Sequence, residues 1–200
     1  MSRPSAPPEI ARSDRDRPGT VADVDAERAH RQLRLIADTV AMAERLGVEV
    51  WLRGGWAMDF FLGQVTRDHV DIDWDAWLDD AAVITAALRA DGYEAMTGPP
   101  PDQQLDVAKD GLEMSFAWLG RGQEGKVVIP GGRYAGESWP DGMLDWPPGR
   151  IGAVQCPIIS PHVQIECKQM WPAWVAGSHR REKDAPDIAR LRQALWSHQP

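Results

Sequence analysis

Two hundred residues, 43% of them apolar and 26% charged, can build one domain with a real core and exclude a disordered or fibrous chain. A formal charge of −8 with no basic run to set against it argues against a nucleic-acid surface, where phosphate neutralisation supplies most of the affinity, and suits a cationic small molecule better. No run reaches the ~18 apolar residues of a membrane helix, no signal peptide is evident, and Cys156 and Cys167 lack metal-site or disulfide spacing, so a cytoplasmic protein with reduced thiols and no membrane partner is expected.

In chain order, residues 1–20 are rich in Pro, Ser, Arg and Asp and are expected to form a disordered tail, with a single domain over 21–200. From Val21 to Leu46 apolar residues recur at three- and four-residue steps, predicting an amphipathic helix ended by Gly47. Val48 to Arg53 reads as a buried strand, Gly54-Gly55 as a turn, and Trp56 to Leu62 as a short helix closed by Gly63. A strand follows from Val70 to Trp77, then a helix from Asp79 to Ala90 and a strand from Tyr93 to Met96. Gln104–Ala108 and Leu112–Leu119 predict a hairpin across Lys109-Asp110-Gly111.

Residues 121–152 form an irregular Gly/Pro/Trp-rich region in which only Lys126 to Ile129 looks like a strand. Such stretches inside a domain are often functional, and this one is expected on the acceptor side of the site. Helices are expected over Pro161–Met170 and Asp184–Trp196. Helices and strands at this spacing predict an α+β domain: a mixed sheet flanked by helices. Trp51, Trp56, Trp74, Trp77 and Trp118 are read as core, whereas Trp139, Trp146, Trp171 and Trp174 are read as pocket-lining.

The chemistry concentrates between Leu52 and Trp77. Asp71 and Asp73 alternate along one strand, so their carboxylates share a face about 6–7 Å apart, with Val70, Ile72 and Trp74 on the other. Paired carboxylates on a rigid strand beside a glycine turn suit two Mg²⁺ ions holding a nucleoside triphosphate, since magnesium prefers oxygen ligands. Gly54 and Gly55 would let backbone N–H groups approach phosphate, helped by the following helix N-terminus. A third carboxylate is expected from a later strand: Glu113, which alternates with Leu112 and Met114, or Asp106 on the partner strand.

Thr66 and Arg67 are candidate nucleotide-binding residues, and Arg67 could instead pair with Asp59. Asp59 could bond His69 or Arg67, or stand exposed, while His69 could orient a metal-bound carboxylate from behind. Asp184 reads as an N-cap and Asp187 as a first-turn acid favoured by the helix dipole. Lys183, just before them, could reach a β- or γ-phosphate.

With these residues assembled, Gly54 to Trp74, GGWAMDFFLGQVTRDHVDIDW, resembles the nucleotidyltransferase superfamily, in particular the aminoglycoside 2''-adenylyltransferases and lincosamide nucleotidyltransferases. The family pattern is Gly-Gly-Trp, an Asp, Leu-Gly, then Thr-Arg-x-His-x-Asp-Ile-Asp. Arg181 to Leu191 is similar to the family's Lys-Asp-x-x-Asp element. The resemblance implies Mg²⁺-dependent transfer of a nucleoside monophosphate, from ATP or another triphosphate, to a hydroxyl on a small cationic acceptor such as an aminoglycoside. It implies antibiotic resistance as the role, Asp71 and Asp73 as metal ligands, Gly54-Gly55 as the phosphate turn, and Glu113 as third carboxylate. Here Glu113 stands where the family commonly has Asp, and the extra methylene shifts the carboxylate by roughly 1 Å. Alternatives are a protein or tRNA acceptor, or a nucleotide-binding module without turnover.

Overall fold

Asp25 starts the first helix by accepting the Arg28 N–H at 3.0 Å, satisfying one of the orphan donors of the first turn. In the computed structural model, which describes residues 24–174, 179 and 181–197, this helix, α1, spans Ala26–Leu46 and closes on Gly47 at φ +68°. The expected start at Val21 and the tail over 1–20 lie outside the described residues. β1 (Val50–Arg53) leads directly into α2 (Gly54–Leu62), so the two glycines are the first residues of the helix rather than a separate turn.

β2 (Asp71–Trp77) is followed by a 3-10 turn at Leu78–Asp80 and α3 (Ala81–Ala90). β3 (Glu94–Ala95), β4 (Gln104–Lys109) and β5 (Leu112–Arg121) come next. The β4–β5 hairpin turns through Asp110 at φ 52° and Gly111 at φ 73°, the pair of positive φ values a two-residue turn of matching twist requires. β6 (Val127–Val128) pairs with β5 inside the expected Lys126–Ile129 strand.

The irregular stretch ends in a hairpin that the sequence reading missed, β7 (Gly149–Ile151) and β8 (Val154–Cys156). Its strands are three residues each, too short to show alternation. α4 (Pro161–Trp174) runs past the expected Met170, and α5 (Asp184–Ser197) completes the described chain.

The sheet order is β1-β2-β5-β4-β3. β2 and β5 are parallel and the other pairs antiparallel, so the sheet is mixed. The free edge of β1 is covered by 157–159, where Leu52 N–H donates to Pro157 O at 2.8 Å and Ile159 N–H to Leu52 O at 2.9 Å.

One sheet face is apolar. Ile72, Trp74, Met114 and Phe116 are fully buried there, in one core with Ile36 and Met42 of α1 and Ile84 and Leu88 of α3. Val70, expected on that face, precedes the strand and is exposed.

The opposite face changes character along its length. At its far end Trp51, Trp77 and Leu119 pack with Ile159, Val163 and Met143 beneath α4; at its near end it carries the aspartates and stays open. Met58 of α2 joins Ile165, Ile188 and Leu191 to tie α2, α4 and α5 together. The five tryptophans read as core are buried. Trp139 borders a cleft with Trp51 and Trp77, and Trp146 packs edge-on against Phe61 and His162. The side chains of Trp171 and Trp174 lie outside the described residues.

Candidate active site

Strand periodicity puts Asp71, Asp73 and Asp75 on one face of β2. The sheet register adds neighbours: Asp71 faces Glu113 and Asp73 faces Ser115 on β5, while Arg53 of β1 flanks Asp73 on the other side. Asp106 faces Ser115 from β4. Strands lie about 4.8 Å apart, so Glu113 is one strand away from β2 and Asp106 two. Asp106 is further engaged by Gln104, whose Nε2 donates to it at 2.6 Å. Of the two candidates for a third carboxylate, Glu113 is the one beside the pair.

Burial deepens along the row toward the end packed with α4. Asp71 is exposed, Asp73 has 27% of its side chain exposed and Asp75 1%. Partial desolvation, then the Asp73 charge, push Asp71 up to about 6, against the pull of Lys183 and Arg53. Asp75 is pushed up to about 7 by burial, despite Arg53. Ser115 Oγ donates to Asp73 Oδ1 at 3.0 Å.

The donor set is hard oxygen with surplus negative charge, which fits magnesium. Among the described residues no three Asp, Glu, His or Cys side chains converge into a ready cation cage. The three carboxylates are neighbours on the sheet whose side chains would have to draw together.

The glycines are explained by what lies against them. A Cβ on Gly54, itself at φ +69°, would sit 2.5 Å from Asp73 Oδ2, and one on Gly55 would collide with His69 Nδ1. The start of α2 is therefore pressed against the acidic strand and the loop before it.

That loop is clamped by Asp59, fully buried on α2, which accepts from Thr66 N–H at 3.0 Å, Thr66 Oγ1 at 2.6 Å and His69 Nε2 at 2.6 Å. Arg67 has only protons to offer His69 Nδ1 at 3.1 Å, so Nδ1 accepts and Nε2–H donates to Asp59. Burial, with the Arg67 charge, lowers the His69 pKa against the opposing Asp59, and the ring is neutral. Arg67 does not pair with Asp59; its guanidinium binds Asp187, 3.2 Å from Nη2.

Asp187 does more than favour a dipole. It is fully buried and also receives Lys168 Nζ at 2.8 Å, tying the loop, α4 and α5 together. Asp184 reaches back to Arg181, accepting its N–H at 3.2 Å and its guanidinium at 2.9 Å. Lys183, half-buried between these two residues, is close enough to Asp71 for their charges to interact. Burial, with the charges of Arg181 and Arg67, lowers its pKa, and Asp71 opposes.

Sequence reasoning missed Arg53, Asp75, Ser115 and Lys168. The first three were reachable by extending the two-residue period across neighbouring strands. Lys168 carried no local signal, because its partner lies in another helix.

A mixed sheet with paired aspartates on a strand beside a glycine-opened helix defines the nucleotidyltransferase fold. The solved structure of the lincosamide antibiotic adenylyltransferase LnuA, lincomycin-bound, matches with TM-score 0.63 at 19% identity, over 86% of this chain and 99% of that one. ANT(2'')-Ia in complex with adenylyl-2''-tobramycin matches with TM-score 0.67 at 21% identity, over 82% and 90%. Identities this low speak for the fold alone.

The family described as Aminoglycoside-2''-adenylyltransferase matches residues 35–191, and the chain belongs to that family. A 2''-aminoglycoside nucleotidyltransferase of Klebsiella pneumoniae is 48% identical over 42 residues, 21% of this chain and 24% of its own length. One from Escherichia coli matches over the same shares. The alignment thus spans about a quarter of those curated relatives.

Proposed function

We propose that the chain transfers a nucleoside monophosphate, AMP from ATP, to a hydroxyl of a small cationic acceptor such as an aminoglycoside, and releases pyrophosphate. The observation that carries this is the register of β2 against β5, which sets Glu113 beside Asp71 and Asp73 next to the Gly54-Gly55 helix start. Asp71 and Asp73, with Glu113, are the residues to hold two magnesium ions. Bound there, the metal supplies charge neutralisation for the triphosphate and for the oxygens at the reacting phosphorus.

The protein's own share is positioning. The α2 N-terminus offers backbone N–H groups to phosphate, and Lys183 adds a positive charge that interacts with Asp71. Glu113, at the edge of the trio, is the group to take the proton of the attacking hydroxyl. Thr66 and Arg67 act by holding the loop that sets β2, since Asp59 and Asp187 already occupy them. The antibiotic named for each structural neighbour supports a hydroxylated antibiotic as acceptor, and resistance as the role. The surplus negative charge of the site suits a cationic one. The two free cysteines suit a reducing compartment, and the proposed location is the cytoplasm. Among the described residues no helix is long and apolar enough to cross a membrane.

The test is pyrophosphate release from each of the four nucleoside triphosphates with Mg²⁺, across aminoglycosides and lincosamides. Acceptor-dependent release is expected, and Asp71→Asn or Asp73→Asn should abolish it while far-UV circular dichroism stays unchanged. Turnover near the wild-type rate in either variant would remove the assignment of the metal platform. Metal-dependent nucleotide binding without release would mean another acceptor or a binding module.

A further inference from the structure

Arg53 ends β1 one residue before the glycines, and the register places it level with Asp73. Its Nη2 lies 3.8 Å from Asp73 Oδ1 and its Nε 3.8 Å from Asp75 Oδ1. Both separations are too long for hydrogen bonds. Among the described residues neither Asp75 oxygen has a hydrogen-bond partner, nor does Arg53 Nε. Arg67 and Arg181, by contrast, bond closely: Arg67 binds Asp187 and the Asp68 carbonyl, and Arg181 binds Asp184.

A guanidinium carries five N–H donors in a planar fork, and that of Arg53 stands 3.8 Å from both Asp73 and Asp75, within reach of their charge. The side chain is 29% exposed while Nε is buried, so part of Arg53 beyond the buried Nε contact stays within reach of a ligand. Asp75, 1% exposed, stands on the buried side, next to Nε.

We infer that Arg53 binds the phosphate chain of the nucleotide and that buried Asp75 is a positioning residue holding the guanidinium from behind. The inference rests on the nucleotidyl-transfer reading, which brings the triphosphate over the edge where the glycines meet Asp73, beside Arg53. A fork of N–H donors matches phosphate oxygens two at a time. Had Arg53 served only to balance the acidic row, its removal would tighten magnesium binding and leave phosphate recognition untouched.

Calorimetric titration of the full chain with ATP, inorganic pyrophosphate and adenosine, each with Mg²⁺, separates these cases. Arg53→Ala should weaken ATP and pyrophosphate by about ten- to a hundred-fold and leave adenosine unchanged. Arg53→Lys keeps the charge but loses the fork, and should recover only part of that loss. Asp75→Asn should weaken ATP by a smaller factor and have no further effect in the Arg53→Ala background, the coupling expected of a pair acting as one. If Arg53→Ala does not fold, Arg53→Lys and Arg53→Gln carry the same comparison. Wild-type affinity for pyrophosphate in these variants, or equal loss of adenosine and ATP, would overturn the assignment. A wild-type chain that binds neither ATP nor pyrophosphate would remove the nucleotidyl-transfer reading itself, and this inference with it.

Discussion

Gly54 and His69 show how closely the acidic strand is packed at the scale of single residues. An alanine at Gly54 combines a strained positive φ with a contact of 2.5 Å to Asp73. Gly54→Ala should therefore displace Asp73, costing about 1–2 kcal/mol in stability and at least tenfold in turnover; turnover assays paired with urea unfolding would show both. His69 is buried as the neutral ring, its pKa below the ordinary value. The unfolded chain then takes up the proton first as pH falls. The stabilisation is complete above the unfolded value of about 6.5 and is lost toward the lower folded pKa. His69→Gln lacks this titration, so the stability gap between wild type and variant should narrow from pH 7.5 to 5.5 in urea unfolding.

At the scale of elements, Asp187 joins three pieces of chain that share no sequence neighbourhood. Lys168 is buried on α4, Arg67 lies in the loop before β2, and Asp187 itself sits in the first turn of α5. Removing the carboxylate strands a buried ammonium, and losing one partner of such a pair costs about 3–5 kcal/mol. Asp187→Ala should be destabilised by that order in urea unfolding, and Lys168→Met added to it should restore much of the loss.

The same elements show what local sequence could and could not tell. The β4–β5 hairpin was legible because Asp110-Gly111 dictates its turn, and the β2 aspartates because period two is a local property. The β7–β8 hairpin was not, since a three-residue strand exists only through the partner it pairs with. Arg67 was expected to reach phosphate or Asp59, and its partner proved to be an aspartate 120 residues later.

Across the whole molecule, one sheet face buries an apolar core while the other runs from open carboxylates to a tryptophan-lined end under α4. The open end gathers more negative than positive charge, so ligands that neutralise it should stabilise the fold. ATP with Mg²⁺ at a hundred times its dissociation constant should add about 2.7 kcal/mol. A thermal-shift series should show a concentration-dependent rise in Tm that Asp71→Asn abolishes.

What the sequence by itself determined was the paired aspartates, the glycine pair ahead of them, the mixed-sheet class and the family. Each is written in short-range spacing, which the backbone turns into geometry without outside help. Only the tertiary structure decided that Glu113 rather than Asp106 stands next to the pair, that Asp75 is buried behind Arg53, and that Asp187 binds Lys168 and Arg67. Those relations depend on which strands become neighbours and where α4 lies across the sheet. Many distant contacts settle such things together, and no stretch of residues encodes them alone.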